Sequence, residues 1–338
     1  MMQRNQMLDI LKGICIIFVV ITHFSWMNEI ELWLLFPFTI DMAVPVFMLI
    51  SGYVYAASYR RNNVENILQG YSIKRLRKSF LRYTIPYVTC FSAEVILYVI
   101  TEFVVRAGGA EVSIKRIVYA FLTGGWGPGS YYYPILLELL VIYPLLWYVV
   151  RRFAFSGLLI VLGINIGLEW LMTAWGVSTN IYRLLIFRYI FLIGAGAYLY
   201  IYQYKGNKLL ELTSVSVGVF FIIYTKYFGN ALWPLNTAWI GTSCLAALYI
   251  IPLYKWFICI NLQKTLSWLQ PISNLGKASY NIFLFQMMYY AFLANIVYNF
   301  VPYGWLKLCL CVSICLYGGW KFYCIEGCRT KKIVKMLN

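Results

Sequence analysis

The chain has 338 residues, of which 62% are hydrophobic and only 12% are charged, and its mean hydropathy is +0.71. Because soluble domains carry about 25% charged residues, this composition excludes an ordinary soluble domain and predicts an all-α polytopic membrane protein. A net charge of +16 would suggest nucleic-acid binding in a soluble protein, but here its placement in loops indicates membrane topology instead.

Ten segments are apolar and close to the length of about 20 residues that a helix needs to cross the hydrocarbon layer. Lys and Arg are concentrated in alternate connections, which predicts that both termini are cytoplasmic. We expect one integral-membrane domain over residues 1–338, without an additional soluble domain, in the cytoplasmic membrane of a bacterium. The predicted spans are 8–28, 35–58, 80–104, 131–150, 155–173, 182–204, 212–228, 237–258, 278–300 and 303–323.

The first predicted span begins with LDILKGICIIFVVITHF and contains Lys12 and His23, the only histidine of the chain. Eleven residues are close to three helical turns, so both side chains leave one face of the helix, about 16 Å apart along its axis. A snorkelling lysine and a structural histidine are the alternative. Because ionisable groups inside a membrane usually serve a function, we predict a functional pair.

A cluster of basic residues from Lys74 to Arg82 precedes the apolar part of the third predicted span. Such a cluster either anchors the helix to anionic lipid or binds phosphate groups of a ligand. No Gly-rich phosphate-binding loop of the GxxxxGK[ST] type is present, which disfavours a nucleotide hydrolase. The cysteines include no CxxC pair, and with a single histidine no metal site is expected.

The connection before the fourth predicted span combines an interfacial segment (111–123) with the Gly/Pro-rich turn GGWGPGS (124–130). Tyr131 to Tyr133 and Trp126 are expected either to form an interfacial aromatic belt or to stack on sugar rings. Polar residues inside the predicted spans are expected to pair with each other. These residues are Asp41, Glu94, Glu138, Glu169 and Arg188.

An ordered set of motifs resembles the acyltransferase-3 family of membrane O-acyltransferases. The first span is similar to the family's leucine–aspartate–hydrophobic–basic–glycine opening, with a basic residue eleven positions before a histidine. MAVPVFMLISGYVY (42–55) resembles its Pro-hydrophobic-Phe and Ser-Gly-aromatic pattern. Gln286 stands where many members have a histidine, and YCIEGC is similar to a late Ile-Glu motif. Further matches in family order are RYTIPY, GPGSYYYPILLELLVIYPLL (127–146), FRYIFLIGAGAYLY (187–200) and LGKASYNIFLF (275–285).

The resemblance implies transfer of an acyl group, usually acetyl, from cytoplasmic acyl-CoA to a hydroxyl of a surface polysaccharide or its lipid-linked precursor. His23 would be catalytic, either as a general base or as an acyl carrier. The partners would be acyl-CoA as co-substrate, a glycan acceptor and the bilayer, with no bound cofactor, metal or nucleic acid. The donor would be bound by Lys12, Arg75, Lys78 and Arg82. The acceptor would be bound, or the site supported, by Asp9, Ser51, Glu138, Arg188, Gln286 and Glu326.

Two other classes of function remain open on sequence grounds. A transporter or flippase could use His23 and the intramembrane acids as a proton relay, although such proteins commonly contain inverted repeats, which this sequence does not display. A non-enzymatic subunit of polysaccharide assembly is a third interpretation. Transfer from acyl-CoA by the purified protein would separate the enzyme from both.

Overall fold

The computed structural model describes residues 6–105, 112–203, 207–230, 240–259 and 268–336. Over these ranges the chain forms helices and turns without any strand, which confirms the predicted all-α fold. The α-helices are α1 (Gln6–Thr22), α2 (Asn28–Trp33), α3 (Ala43–Arg61), α4 (Ile67–Gly70), α5 (Ile73–Val105), α6 (Ile114–Thr123), α7 (Tyr132–Ala174), α8 (Thr179–Tyr182), α9 (Ile190–Tyr202), α10 (Lys208–Ile222), α11 (Ile250–Cys259), α12 (Gln270–Lys277), α13 (Ser279–Met288), α14 (Ala294–Phe300) and α15 (Gly304–Met336).

Within the described residues, six helical segments are long and apolar enough to cross a membrane, which supports a multi-pass membrane protein. Two shorter apolar helices, at 186–202 and 246–258, coincide with further predicted spans. The number of ten spans and the cytoplasmic placement of both termini stay predictions. The six segments are Phe36–Arg61, Ile67–Phe103, Tyr132–Ala174, Lys208–Tyr227, Ser279–Phe300 and Gly304–Val334.

Two of the predicted spans have different boundaries in the structure. The spans predicted at 131–150 and 155–173 lie in one element, α7, which is broken at Ala154 by a non-helical backbone (φ 50°, ψ −124°). The first span, predicted to continue to residue 28, ends at Thr22. Its 17 residues are about 26 Å long at 1.5 Å per residue, and His23 lies immediately beyond the last helical turn.

The helices around α1 are brought together by glycines. α3 packs along α9, and α1 packs along α12 and against α13. A Cβ atom on Gly52 of α3 would lie 1.9 Å from the carbonyl oxygen of Ile193, so the two backbones are in direct contact. The Ser-Gly-aromatic pattern of α3 is therefore explained here by helix packing.

The crossing of α1 and α12 positions the helix that carries Lys12 and ends directly before His23. A Cβ atom on Gly276 would lie 1.7 Å from the carbonyl oxygen of Asp9, and one on Gly13 would lie 2.1 Å from the carbonyl oxygen of Ile272. Real Cβ atoms do not approach backbone oxygens so closely. Only glycine at both positions permits this crossing.

Gly276→Ala is expected to lower the free energy of unfolding by roughly 1–3 kcal/mol, because overpacking forces backbone shifts. Thermal unfolding of the detergent-purified protein measures the change. Gly163→Ala in α7 is the matched control, since a Cβ atom there meets nothing within 4 Å. The same substitution should stabilise that helix by up to about 1 kcal/mol. If the unfolding temperature changes in the same direction and by the same amount in both variants, the close contact at Gly276 does not determine stability.

Candidate functional site

His23 lies where the end of α1 meets the segment 124–130 and α13. Its Nε2 atom is 3.2 Å from the position that a Cβ atom on Gly129 would occupy, and Cζ of Phe283 is 2.9 Å from the same position. The ring centroid of Tyr290 is 6.4 Å from that of His23, at an interplanar angle of 69°. The half-buried imidazole is thus flanked by groups from two distant parts of the chain, the segment 124–130 and the helical segment Ser279–Phe300.

The end of α1 is fixed by a contact from a residue far along the sequence. The last carbonyl groups of a helix lack intrahelical donors, and the hydroxyl of Tyr290 donates a hydrogen bond to the Val20 carbonyl, at 3.0 Å. Tyr290 belongs to a π-helical turn, Tyr289–Leu293, a conformation that is frequent at functional sites. This bond positions the turn of backbone from which His23 projects.

The segment 124–130, predicted only as a turn, is largely buried and forms one wall of the site. The backbone N–H of Trp126 donates to Oε2 of Glu94 at 3.3 Å, and Nε2 of Gln286 donates to the Pro128 carbonyl at 3.3 Å. Gly129 has a φ of 85°, in the region that favours glycine. The glycines therefore allow this segment to reach His23, and Glu94 and Gln286 hold it there.

The tyrosines and the tryptophan around this segment are packed inside the protein. Trp126 stacks on Phe91 at 5.3 Å, and Tyr133 stacks on Tyr87 at 3.8 Å. Tyr132 is also buried. These side chains accordingly form neither an interfacial belt nor an exposed platform for sugars.

A cavity of about 30 Å³ lies beside Ile16 of α1. Ile16 follows Lys12 by four residues, which places these two on one face of α1, and it precedes His23 by seven residues. Another wall is Phe283, which lies close to Gly129, as His23 does. The lining residues are Ile16, Phe47, Tyr132, Ser279, Tyr280 and Phe283.

Of the four residues predicted to bind the donor, Arg82 is linked most directly to this cavity. Its neighbour Tyr83 accepts, through its carbonyl, a hydrogen bond from the hydroxyl of Tyr280 at 2.9 Å, and Tyr280 lines the cavity. Arg82 itself is exposed and interacts electrostatically with Tyr55. The backbone directly after Arg82 is therefore bonded to one wall of the cavity.

The other basic residues predicted to bind the donor have different surroundings. Arg75 donates from Nη1 to the Gln69 carbonyl at 2.8 Å, and its guanidinium lies 4.9 Å from the ring centroid of Tyr59. Lys78 is exposed, one turn before Arg82 on the same face of α5, and Lys12 is half-buried. The guanidinium of Arg75 is thus occupied by contacts within the protein.

Ser51 and Glu138, predicted to support the acceptor, make local structural contacts. The Ser51 hydroxyl donates to the Phe47 carbonyl of its own helix at 2.8 Å. Oε2 of Glu138 accepts a hydrogen bond from the Ile186 N–H at 2.7 Å, at the start of a short 3₁₀ turn. These contacts position α3 and the 3₁₀ turn, and neither of them reaches His23.

Asp9 and Glu326 also lie in packed regions. Asp9 is 3% exposed, at the crossing of α1 with α12. Glu326 accepts a hydrogen bond from Nδ2 of Asn281 at 3.1 Å and is hydrogen-bonded to Thr330. Because Asn281 follows the cavity residue Tyr280, Glu326 fixes α15 to the helix that forms one side of the cavity.

Arg188 is buried among aromatic rings. Its guanidinium lies 4.4 Å from the ring centroid of Tyr189, 5.1 Å from that of Tyr131 and 5.8 Å from that of Tyr182. It also interacts electrostatically with Glu169. Such cation–π and charge contacts are the structural pairing expected of an interior arginine.

Comparison with known proteins adds one result. Residues 5–322, nearly the whole chain, match the model of the acyltransferase-3 family, which is described as an acyltransferase domain. No curated protein and no solved structure gives a significant match. The matched range includes the α1 face, the segment 124–130 and the cavity.

Proposed function

Because the chain belongs to the acyltransferase-3 family, we propose that it transfers an acetyl group from cytoplasmic acyl-CoA to a hydroxyl of a surface polysaccharide or its lipid-linked precursor. The cytoplasmic membrane of a bacterium, with both termini inside, is part of the proposal. The observation that supports it is the cavity beside Ile16 of α1, whose lining residue Phe283 lies close to the same glycine, Gly129, as His23 does.

The donor phosphates are assigned to the first half of α1, which carries Lys12, and to the start of α5, which carries Lys78 and Arg82. Coenzyme A has several phosphate charges, and Lys12, Lys78 and Arg82 supply cations for them. At 1.5 Å per residue, the eleven residues from Lys12 to His23, directly after the end of α1, span about 16 Å. The long, nearly neutral pantetheine arm suits this distance and delivers the thioester to the imidazole.

His23 is assigned the proton transfer. As the acceptor oxygen attacks the thioester carbonyl carbon, the imidazole takes the hydroxyl proton. The C–S bond then breaks, the new ester C–O bond remains, and the proton passes from the imidazolium to the leaving thiolate. A route through an acyl-histidine would use the same imidazole in two successive transfers.

Purified protein in proteoliposomes tests this function. With [¹⁴C]acetyl-CoA and glycan from the envelope of cells that lack the protein, we expect label in a base-labile ester on the glycan and one equivalent of free CoA thiol for each ester. A transporter or an assembly subunit would produce neither. Folded protein that releases no thiol and forms no ester with such glycan would refute the enzymatic proposal.

A further inference from the structure

The cavity is lined largely by aromatic rings, and one of them, Phe283, lies close to the same glycine, Gly129, as His23 does. The ring centroid of Tyr132 is 4.6 Å from that of Phe283 and 6.4 Å from that of Phe47. These three side chains are 8%, 3% and 7% exposed, respectively. Each comes from a different helix, so the wall is formed where α3, α7 and α13 meet.

The wall has little freedom to move away. Phe283 is held between Tyr132 and the backbone at Gly129, where its Cζ atom is already 2.9 Å from the place of a Cβ atom. Tyr132 is the first residue of α7, directly after the buried segment 124–130. Protein interiors are close-packed and resist the insertion of additional methylene groups.

The size of the cavity limits what fits against this wall. Its volume is about 30 Å³, whereas a dry protein cavity that accepts benzene measures about 150 Å³. At the volume per carbon atom that benzene has in such a cavity, this space holds about one carbon atom. An acetyl group presents a single methyl beyond its carbonyl carbon, but a butyryl group presents two further methylenes.

We propose that Phe47, Tyr132 and Phe283 form the acyl-chain site and restrict the donor to acetyl-CoA. This inference rests on the proposed function, because it assigns the cavity to the acyl group of the donor. It makes these three rings the residues that determine specificity. A pocket that excludes one additional methylene typically discriminates by roughly 10–200-fold.

The test compares acetyl-CoA with butyryl-CoA in the proteoliposome assay. The wild-type kcat/KM should favour acetyl-CoA by at least about 100-fold, since two methylenes are excluded. Phe47→Ala should reduce this preference at least about tenfold through faster use of butyryl-CoA. Phe221→Ala is the matched control, because Phe221 is 3% exposed in α10 and does not line the cavity. For Phe221→Ala, the ratio of kcat/KM for acetyl-CoA to kcat/KM for butyryl-CoA should equal the wild-type ratio.

Binding of non-reactive thioethers gives a second measurement that does not depend on turnover. S-butyl-CoA should bind Phe47→Ala at least about tenfold more tightly than it binds the wild type, whereas S-ethyl-CoA should bind both equally. Phe283→Leu, which opens the same wall, takes the place of Phe47→Ala if that variant fails to fold.

The outcomes separate this inference from the proposed function. Equal wild-type use of acetyl-CoA and butyryl-CoA, or unchanged S-butyl-CoA affinity in the variant, would overturn the acyl-chain site and leave the acyltransferase intact. Absence of transfer would refute the acyltransferase, and the thioether affinities would still decide whether the three rings limit chain length.

Discussion

His23→Ala is expected to lower the rate of acyl transfer by roughly 10²–10⁴-fold, the usual contribution of a general base. The chain contains no other histidine that could take over the proton. The variant should fold, because the bond from Tyr290 to the end of α1 is made to a backbone carbonyl. The rate for each mole of folded protein, with thermal unfolding recorded alongside, is the measurement.

His23→Gln is the companion variant, since it keeps a polar side chain but cannot act as a base near neutral pH. It should be as inactive as His23→Ala. Phe221→Leu, in a buried position outside the cavity, should keep the wild-type rate if general disturbance of the core is not the cause of the loss. A rate for His23→Ala within tenfold of the wild type would remove His23 from the mechanism.

The helical period predicts that Lys12 and His23 share a face, but in the structure α1 ends at Thr22, directly before His23. The same period places Ile16 between them, and the structure has Ile16 in the cavity wall. The end of α1 was not predictable. Apolar residues continue past Thr22, and the donor to the Val20 carbonyl comes from Tyr290, 270 residues away.

The burial of segment 124–130 was missed for a similar reason. A Gly/Pro-rich stretch predicts a turn whether that turn faces solvent or the core. Here the segment is buried because it bonds to two distant side chains, Glu94 and Gln286. They lie 32 and 158 residues from the residues of the segment to which they bond. The only local signal was the density of glycine, which permits close backbone approach.

The basic cluster shows a further limit of sequence reasoning. Arg75 and Arg82 are seven residues apart, so both lie on one face of α5. The sequence alone therefore does not show which of them binds a phosphate. The structure separates them, because Arg75 bonds to the Gln69 carbonyl and packs on Tyr59. Arg82 is exposed beside Tyr83, which is bonded to a cavity residue.

Arg82→Gln is therefore expected to raise the KM for acetyl-CoA by roughly 10- to 100-fold, with little change in kcat. A charge-assisted hydrogen bond contributes about 1.5–3 kcal/mol. The loss of one such bond to a phosphate would therefore weaken donor binding by roughly 10- to 100-fold. The proposed contact would be remote from the reacting carbonyl and would be made equally in the ground state and the transition state. Its removal therefore weakens donor binding without slowing the chemical step.

Two other arginines of α5 provide the controls. Arg77 is exposed like Arg82 but lies five residues earlier, on a different face of the helix, so Arg77→Gln should leave the KM unchanged. Arg75→Gln should lower the unfolding temperature, because its bond and ring contact are lost, and should affect the KM less than Arg82→Gln does.

If Arg82→Gln and Arg77→Gln give the same KM as the wild type, the cluster is an anchor for anionic lipid, and the donor phosphates bind elsewhere. If both raise the KM equally, the effect comes from the general positive charge of α5, which added salt would screen, and not from a contact of Arg82.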